Sequence, residues 1–488
     1  MKRPKLKKAF AALTIISLAL VASLAYGLMS GRSASAKSEH NPSNKSGKSG
    51  KSGKSGVSGA SATAAASSSA VSAAAQTTDV LAQTTGVIML KTPIYALDSN
   101  NIILVLWPGA TSFTRLVRVT QANGNLIGID FRPADGNNNA LYALTDTGTI
   151  YTVKLTGAGL GAVTKVSDMT TRFPSGVQSL MDFNPMVNAL RLIGSDRLNY
   201  AVVNSGGNLN AMAIQTSLSY DPNDVNKGVS PHVSNGAYTN NVVGATTTLF
   251  YAIDYDLDTF LTIQPATPGG SSATGGGVLQ TLGPLVTPTG QRVNVSSTAD
   301  IDIYTNNAGV NRLVGVSGRT FFTIDLSMVN PVAPAGSVTN IVTQGITMPD
   351  DGNDIIDIAA APTSYEAENA TQGGGNIVQA NFPGFSGTGF VNYADNIAGG
   401  FTQFQVNQTG TQTLIFRYSN GGTVNRPCNV TVNGVSVGTV AFAPTGSFGA
   451  YKTTTLPVNL GTAVGFRSVR ITSTTTAGGP NLDKMDVQ

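Results

Sequence analysis

Short apolar stretches carrying tyrosine and aspartate recur through residues 78–362, and this repetition limits the fold more than any other feature. Ile94-Tyr95-Ala96-Leu97-Asp98 returns 47 residues later as Leu141-Tyr142-Ala143-Leu144-Thr145. Phe250-Tyr251-Ala252-Ile253-Asp254 and Phe321-Phe322-Thr323-Ile324-Asp325 repeat the theme. A second element, Ile129-Asp130-Phe131-Arg132-Pro133, recurs at Met181-Asp182-Phe183-Asn184-Pro185, Ile301-Asp302-Ile303-Tyr304 and Ile356-Asp357-Ile358-Ala359. Each unit reads as a strand with Asp, a strand with Tyr and one more strand, separated by polar turns. Such a sheet cannot bury both faces alone, and radial packing of several buries them all, which is the logic of a β-propeller. The last copy, Asp354 to Ala360, has no tyrosine strand after it, while the strand at Tyr95 has no aspartate strand before it. The two are expected to share one sheet and close a ring of about five blades.

Asp130, Asp182, Asp302 and Asp357 occupy equivalent blade positions in this reading. Their repetition favours a shared backbone hydrogen bond over catalysis, which needs carboxylates in unlike roles. His232 beside Pro231 reads as a loop residue, and Asp135, Asp146, Asp254, Asp256 and Asp258 as solvated turn residues. No phosphate-binding glycine loop, nucleophile elbow or metalloprotease motif is found, and Gly269 to Gly277 reads as a loop. No catalytic residue is assigned.

The net charge of +4 is misleading, because residues 1–55 hold 11 of the 30 Lys/Arg and one of the 26 Asp/Glu. The remainder has 19 basic and 25 acidic side chains, a net of −6, with no basic stripe for nucleic acid. One cysteine, Cys428, permits no internal disulfide, and with two histidines no Cys/His zinc site. Cys428 is expected to be a small buried apolar residue. Residues 1–36 have the order of an export signal: basic residues 1–8, an apolar run from Ala9 to Met29, and Ala34-Ser35-Ala36. The run is also long enough to remain as a membrane anchor. Residues 37–77, rich in Gly, Ser, Lys and Ala, read as a flexible spacer. A secreted or cell-surface location follows.

The wording of Gly128 to Pro133, Leu141 to Val153, Asp182 to Pro185 and Ala237 to Asn241 resembles a family of exported bacterial domains of unknown function. That resemblance implies a propeller-like fold and export, and brings no activity.

From residue 363 the pattern changes. Leu414, Phe416 and Tyr418 alternate with polar neighbours, and Asn433-Gly434 joins Val430 and Val432 to Val435 and Val437 as a hairpin. Short strands through residues 363–488 suggest a jelly-roll β-sandwich, so the chain is expected to be all-β. Tyr365-Glu366-Ala367-Glu368-Asn369, Gly387 to Tyr393, Arg417-Tyr418-Ser419-Asn420-Gly421, Asn425-Arg426-Pro427, Val432-Asn433-Gly434 and Gly479-Pro480-Asn481-Leu482-Asp483 follow in order. This series is similar to carbohydrate-binding modules of the family 6 and family 35 type.

Glu366 and Glu368, two apart on a strand, point to one face. The resemblance brings the first and last strands together and Asp483 to the two glutamates, an oxygen-only set suited to a structural Ca2+. It further implies a sugar site at Tyr393, Tyr451 and Asn481, with Asn420 and Arg426 nearby. Aromatic faces suit a pyranose ring, and amides suit its hydroxyls. The family's platform is often Trp; the only tryptophan here is Trp107, so Tyr451 or Phe448 must replace it. Phe390 and Phe401 are expected in the core. The expected function is non-catalytic binding of a polysaccharide or cell-surface glycan. The alternatives are a glycosidase or lyase with a propeller catalytic domain, and a structural surface protein whose propeller binds an unknown partner.

Overall fold

The computed structural model describes residue 90 and residues 92–488, apart from 134–139, 157, 175–178, 195, 206–207, 264–275, 307–308, 335, 348–351, 353 and 464. The expected signal, the spacer and residues 78–89 therefore lie outside the described residues, as do Asp135 and most of the Gly269–Gly277 loop. No helix among the described residues is long and apolar enough to cross a membrane.

Among the described residues, 94–360 form five antiparallel four-stranded blades, two of which are joined where Val278–Val286 pairs in parallel with Ile341–Thr347, and the short strand Ser219–Tyr220 adds to Val278–Val286 in parallel. The innermost strands are Leu126–Phe131, Ser179–Asn184, Val233–Tyr238, Asp300–Thr305 and Ile355–Ala360, and they neighbour one another in a ring. They are buried along almost their whole length, because each sheet packs against another on both faces. This explains near-continuous apolar strands such as Ile94–Asp98 and Phe250–Asp254, whereas the outer strand Thr114–Arg118 is polar and solvated. Ring closure follows the sequence expectation. Ile355–Ala360 pairs with Ile94–Asp98, Ile94 opposite Ala360 and Tyr95 opposite Ala359. Each blade also has a fourth strand beyond the three expected. Outer strands such as Val163–Asp168 carry too few apolar residues to stand out in the sequence.

Residues 364–487 form two sheets. One runs Ile377–Gln379, Phe390–Asn392, Asn481–Val487, Thr411–Ser419, Lys452–Asn459, with Ser364–Glu366 also paired to Asn481–Val487. The other runs Thr371–Gly373, Phe401–Val406, Arg467–Ser473, Cys428–Val432, Val435–Val440. Phe404, Leu414, Phe416, Val430, Ile471 and Met485 fill the space between them. The hairpin turn falls at Asn433 and Gly434, whose positive φ of 49° and 82° fits a tight two-residue loop. Cys428 is buried, and burial pushes its thiol pKa up. Phe390 is in the interior, but Phe401 is only partly buried and lies under the Arg470 guanidinium, 4.0 Å from its ring centre.

The propeller and sandwich meet through buried polar contacts. Tyr365 donates to Gln408 Oε1 at 2.7 Å, and Gln408 Nε2 donates to Thr92 Oγ1 at 3.3 Å. Trp107 of the propeller and Phe466 of the sandwich also pack edge to face, with ring centres 6.2 Å apart.

Candidate functional site

The pairing of Ser364–Glu366 with the last strand sets Tyr365 opposite Met485 and Glu366 opposite Lys484, and so brings Asp483 to the glutamates. The chain leaves the strand after Glu366, and Ala367–Asn369 form a 3-10 turn. Glu368 is therefore not on a strand with Glu366, contrary to the sequence reading. The turn nevertheless carries its carboxylate back to the same place. Both glutamates flank Gly387, where a Cβ would collide with Glu368 Oε1 and lie 3.2 Å from the Glu366 carboxylate.

The loop at Ser386–Gly389 holds these groups. Ser386 N donates to Asp483 Oδ1 at 2.7 Å, and its hydroxyl lies 2.9 Å from Glu366 Oε2 and 3.1 Å from Asp483 Oδ2. The N–H groups of Thr388 and Gly389 donate to Glu368 Oε1. Glu366 Oε1 and Glu368 Oε2 are buried with no hydrogen-bond partner. Burial pushes the Glu366 pKa up to about 8, with the Glu368 and Asp483 charges adding to it. Burial also raises Glu368 and Asp483, with Arg417 opposing the rise at Asp483. Two buried acceptor oxygens without donors, among carboxylates that repel one another, fit a hard cation.

A second cluster occupies the loops at one end of the sandwich. Arg426 Nη1 bonds Gly479 O at 2.9 Å and Asp395 Oδ1 at 3.0 Å, while its guanidinium lies 5.9 Å from the Phe448 ring centre. Phe448 is partly exposed, packs against Phe382 at 5.3 Å, and its carbonyl is held by Ser419. Ser419 is the register partner of Asn481. Arg426 Nε and Asn481 Oδ1 are buried and without partners. Tyr451, also partly exposed, sits over Arg417 at 4.7 Å, and its hydroxyl reaches Phe382 O at 3.4 Å.

Two expected sugar contacts are corrected. Tyr393 is fully buried in the core, and its hydroxyl donates to Ile471 O at 2.9 Å, so its ring has no face to offer a ligand. Asn420 is also buried: its amide donates to Val424 O and Phe442 O, and its Oδ1 accepts from Gly422 N. It shapes the loop. Sequence reasoning missed Ser386, Arg417 and Phe382. Ser386 adjoins the quoted Gly387-Thr388-Gly389 run and Arg417 opens another quoted motif, but nothing local marks either as facing Asp483.

In the propeller, Asp130, Asp182 and Asp302 bring carboxylate oxygens within 4.8 Å of one another. Asp130 accepts from Phe183 N at 2.7 Å, Asp182 from Tyr238 N at 3.1 Å and Asp302 from Ala360 N at 2.5 Å. Each staples its blade to the next. Asp357 is not their equivalent, as the sequence suggested. It accepts from Ile129 N, two residues before Phe131, and matches Asp300, which accepts from Ile358 N. All five are buried, and burial raises each carboxyl. Asp254 is also buried rather than solvated, accepting from Tyr220 OH, while His232 is a partly exposed loop residue paired with Asp256.

Residues 108–347 match the family model described as "Domain of unknown function (DUF4394)". A stretch of 127 residues is 43% identical to an exo-beta-D-glucosaminidase of Amycolatopsis orientalis, covering 25% of this chain and 12% of that protein. Endo-1,4-beta-xylanase B of Cellvibrio japonicus is 37% identical over 114 residues, which is 22% of this chain and 18% of that protein. The chain thus spans less than a fifth of these curated relatives. Among solved structures, a family 35 carbohydrate-binding module from Clostridium thermocellum is 36% identical, covering 25% of this chain and 95% of that one, with a TM-score of 0.24. A family 35 module in complex with a glucuronic acid-containing disaccharide is 32% identical, covering 26% of this chain and 91% of that one, also at 0.24. The C-terminal region resembles carbohydrate-binding modules of the family 35 type, and the middle region an all-β domain of unknown function.

Proposed function

We propose that the chain is an exported, non-catalytic carbohydrate-binding protein whose C-terminal sandwich carries a structural calcium ion and binds a polysaccharide through its loop end. The observation that carries the reading is the pairing of two unpartnered buried polar atoms, Arg426 Nε and Asn481 Oδ1, with the partly exposed ring of Phe448. Aromatic faces take the C–H face of a sugar, and orphaned polar atoms gain most from a ligand's hydroxyls. Tyr451, Phe382 and Phe448 form a continuous strip, and the two arginines under it favour an acidic sugar. Glu366, Glu368 and Asp483 would hold the calcium, which supplies charge balance and fixes the Ser386–Gly389 loop.

A glycosidase reading gains nothing from the propeller carboxylates. Asp130, Asp182 and Asp302 are 2–4% exposed, and each is engaged by backbone N–H groups of the neighbouring blade. Export to the surface rests on the basic and apolar residues 1–36. The test is a glycan array probed with the full chain, with calcium and with a chelator. Selective binding to one polysaccharide class, with a melting temperature raised by calcium, supports the reading. Absence of binding to every glycan by a folded, calcium-loaded chain overturns it. Release of sugar fragments would move the function to an enzyme.

A further inference from the structure

The guanidinium of Arg417 touches both halves of the proposed site. Nη1 pairs with Asp483 Oδ2, Nη2 donates to Gly384 O at 2.7 Å, and the planar group lies 4.7 Å from the Tyr451 ring centre. Arg417 is held in the strand Thr411–Ser419, directly opposite Lys484 on one side and Thr453 on the other, so its backbone is fixed. Gly384 opens the loop that continues into Ser386 and Gly387. One side chain thus contacts a carboxylate of the cation group, the loop that covers it and the aromatic strip.

The charges make this arrangement responsive. Glu366, Glu368 and Asp483 carry three negative charges when ionised, and Arg417 offsets one, which leaves a deficit that one divalent ion neutralises. Asp483 is buried, so its attraction to Arg417 is weakly screened. A divalent ion among these carboxylates draws on the same Asp483 charge that holds Nη1, and it repels the guanidinium. The remaining partners of Arg417 are Gly384 O and the face of Tyr451.

We propose that Arg417 is the positioning residue through which cation occupancy is transmitted to Tyr451, so that calcium and glycan binding are thermodynamically linked; this rests on the calcium reading above. The linkage is reciprocal, as any coupling between two binding equilibria must be. Arg417 does not ligate the ion. It acts through Asp483 on one side and through the ring on the other. Tyr451 is the sugar-strip residue nearest the cation group, and the Arg426–Phe448 end has a separate set of contacts through Asp395 and Gly479.

The experiment uses the full chain labelled with 3-fluorotyrosine, with the Tyr451 signal assigned by its loss in Tyr451→Phe. Calcium is titrated while the fluorine spectrum and the heat of binding are recorded together. The unaltered chain is expected to shift the Tyr451 signal in step with the heat. Arg417→Gln is expected to still bind calcium, with an altered heat because one positive charge beside Asp483 is gone, and to lose the shift. Arg417→Lys, which keeps a charge near Asp483 without the planar stack, is expected to lose the shift as well, and serves if Arg417→Gln does not fold. Calcium heat with an unmoved Tyr451 signal in the unaltered chain overturns the proposal, as does an undiminished shift in both variants. No calcium heat in the unaltered chain overturns the cation reading itself, and the proposal with it.

Discussion

Asp302 accepts the backbone N–H of Ala360 at 2.5 Å, across the boundary where the last strand of the propeller joins the first blade. Asp300, two residues earlier, accepts Ile358 N at 2.8 Å in the same way. Both carboxyls are buried, and burial raises them, Asp300 to about 7 and Asp302 to about 6. The folded chain therefore holds these protons more tightly than the unfolded chain. Their stabilisation is complete below the ordinary carboxylate pKa of about 4 and is lost as pH rises through 6 to 7. Melting is expected to fall by several degrees over this window. Asp300→Asn keeps the acceptor oxygen, removes one of the titrating groups and should make the decline shallower. A decline unchanged in Asp300→Asn would place the titrating groups elsewhere.

Gly387 has a φ of +65° and no room for a side chain between Glu366 and Glu368. Gly387→Ala is expected to cost about 1–2 kcal/mol from backbone strain alone. It should also abolish most of the rise in melting temperature expected when calcium is added to the unaltered chain. Differential scanning calorimetry with calcium and with chelator checks this. An undiminished calcium response would show that the ion is held elsewhere.

Tyr393 belongs to the core, so Tyr393→Phe should lower stability by about 1 kcal/mol, through loss of the bond to Ile471 O, and leave glycan affinity unchanged. Denaturant melts and binding isotherms on the same sample separate the two effects. A tenfold loss of affinity with stability intact would return Tyr393 to the binding site.

The repeat of tyrosine and aspartate strands revealed the propeller and its closing strand, because burial on both faces forces the same apolar wording into every blade. The register of the aspartates was not legible. Asp302 and Asp357 share the wording Ile-Asp-Ile, yet they sit two residues apart in the ring, and only the partners Ala360 and Ile129 reveal it. In the sandwich, the ordered motifs contain Glu366, Glu368 and Asp483, which the fold brings together around Ser386 and Gly387. Tyr393 and Asn420 carry side chains suited to a sugar, and their burial depends on packing against strands distant in sequence. Phe448 was already a candidate for the missing tryptophan, whereas the contact of Arg417 with Asp483 is one that no local spacing predicts.

The central claim is that the loop end of the sandwich binds a glycan, and Phe448 is the most direct handle on it. The decisive measurement is titration calorimetry of the full chain and of Phe448→Ala, with calcium present, against the best polysaccharide from the array. Loss of affinity by about tenfold or more, as expected for a stacking platform, with the melting temperature preserved, is the predicted result. Equal affinity in the two proteins would contradict the account and place carbohydrate recognition, if any, on another face of the molecule.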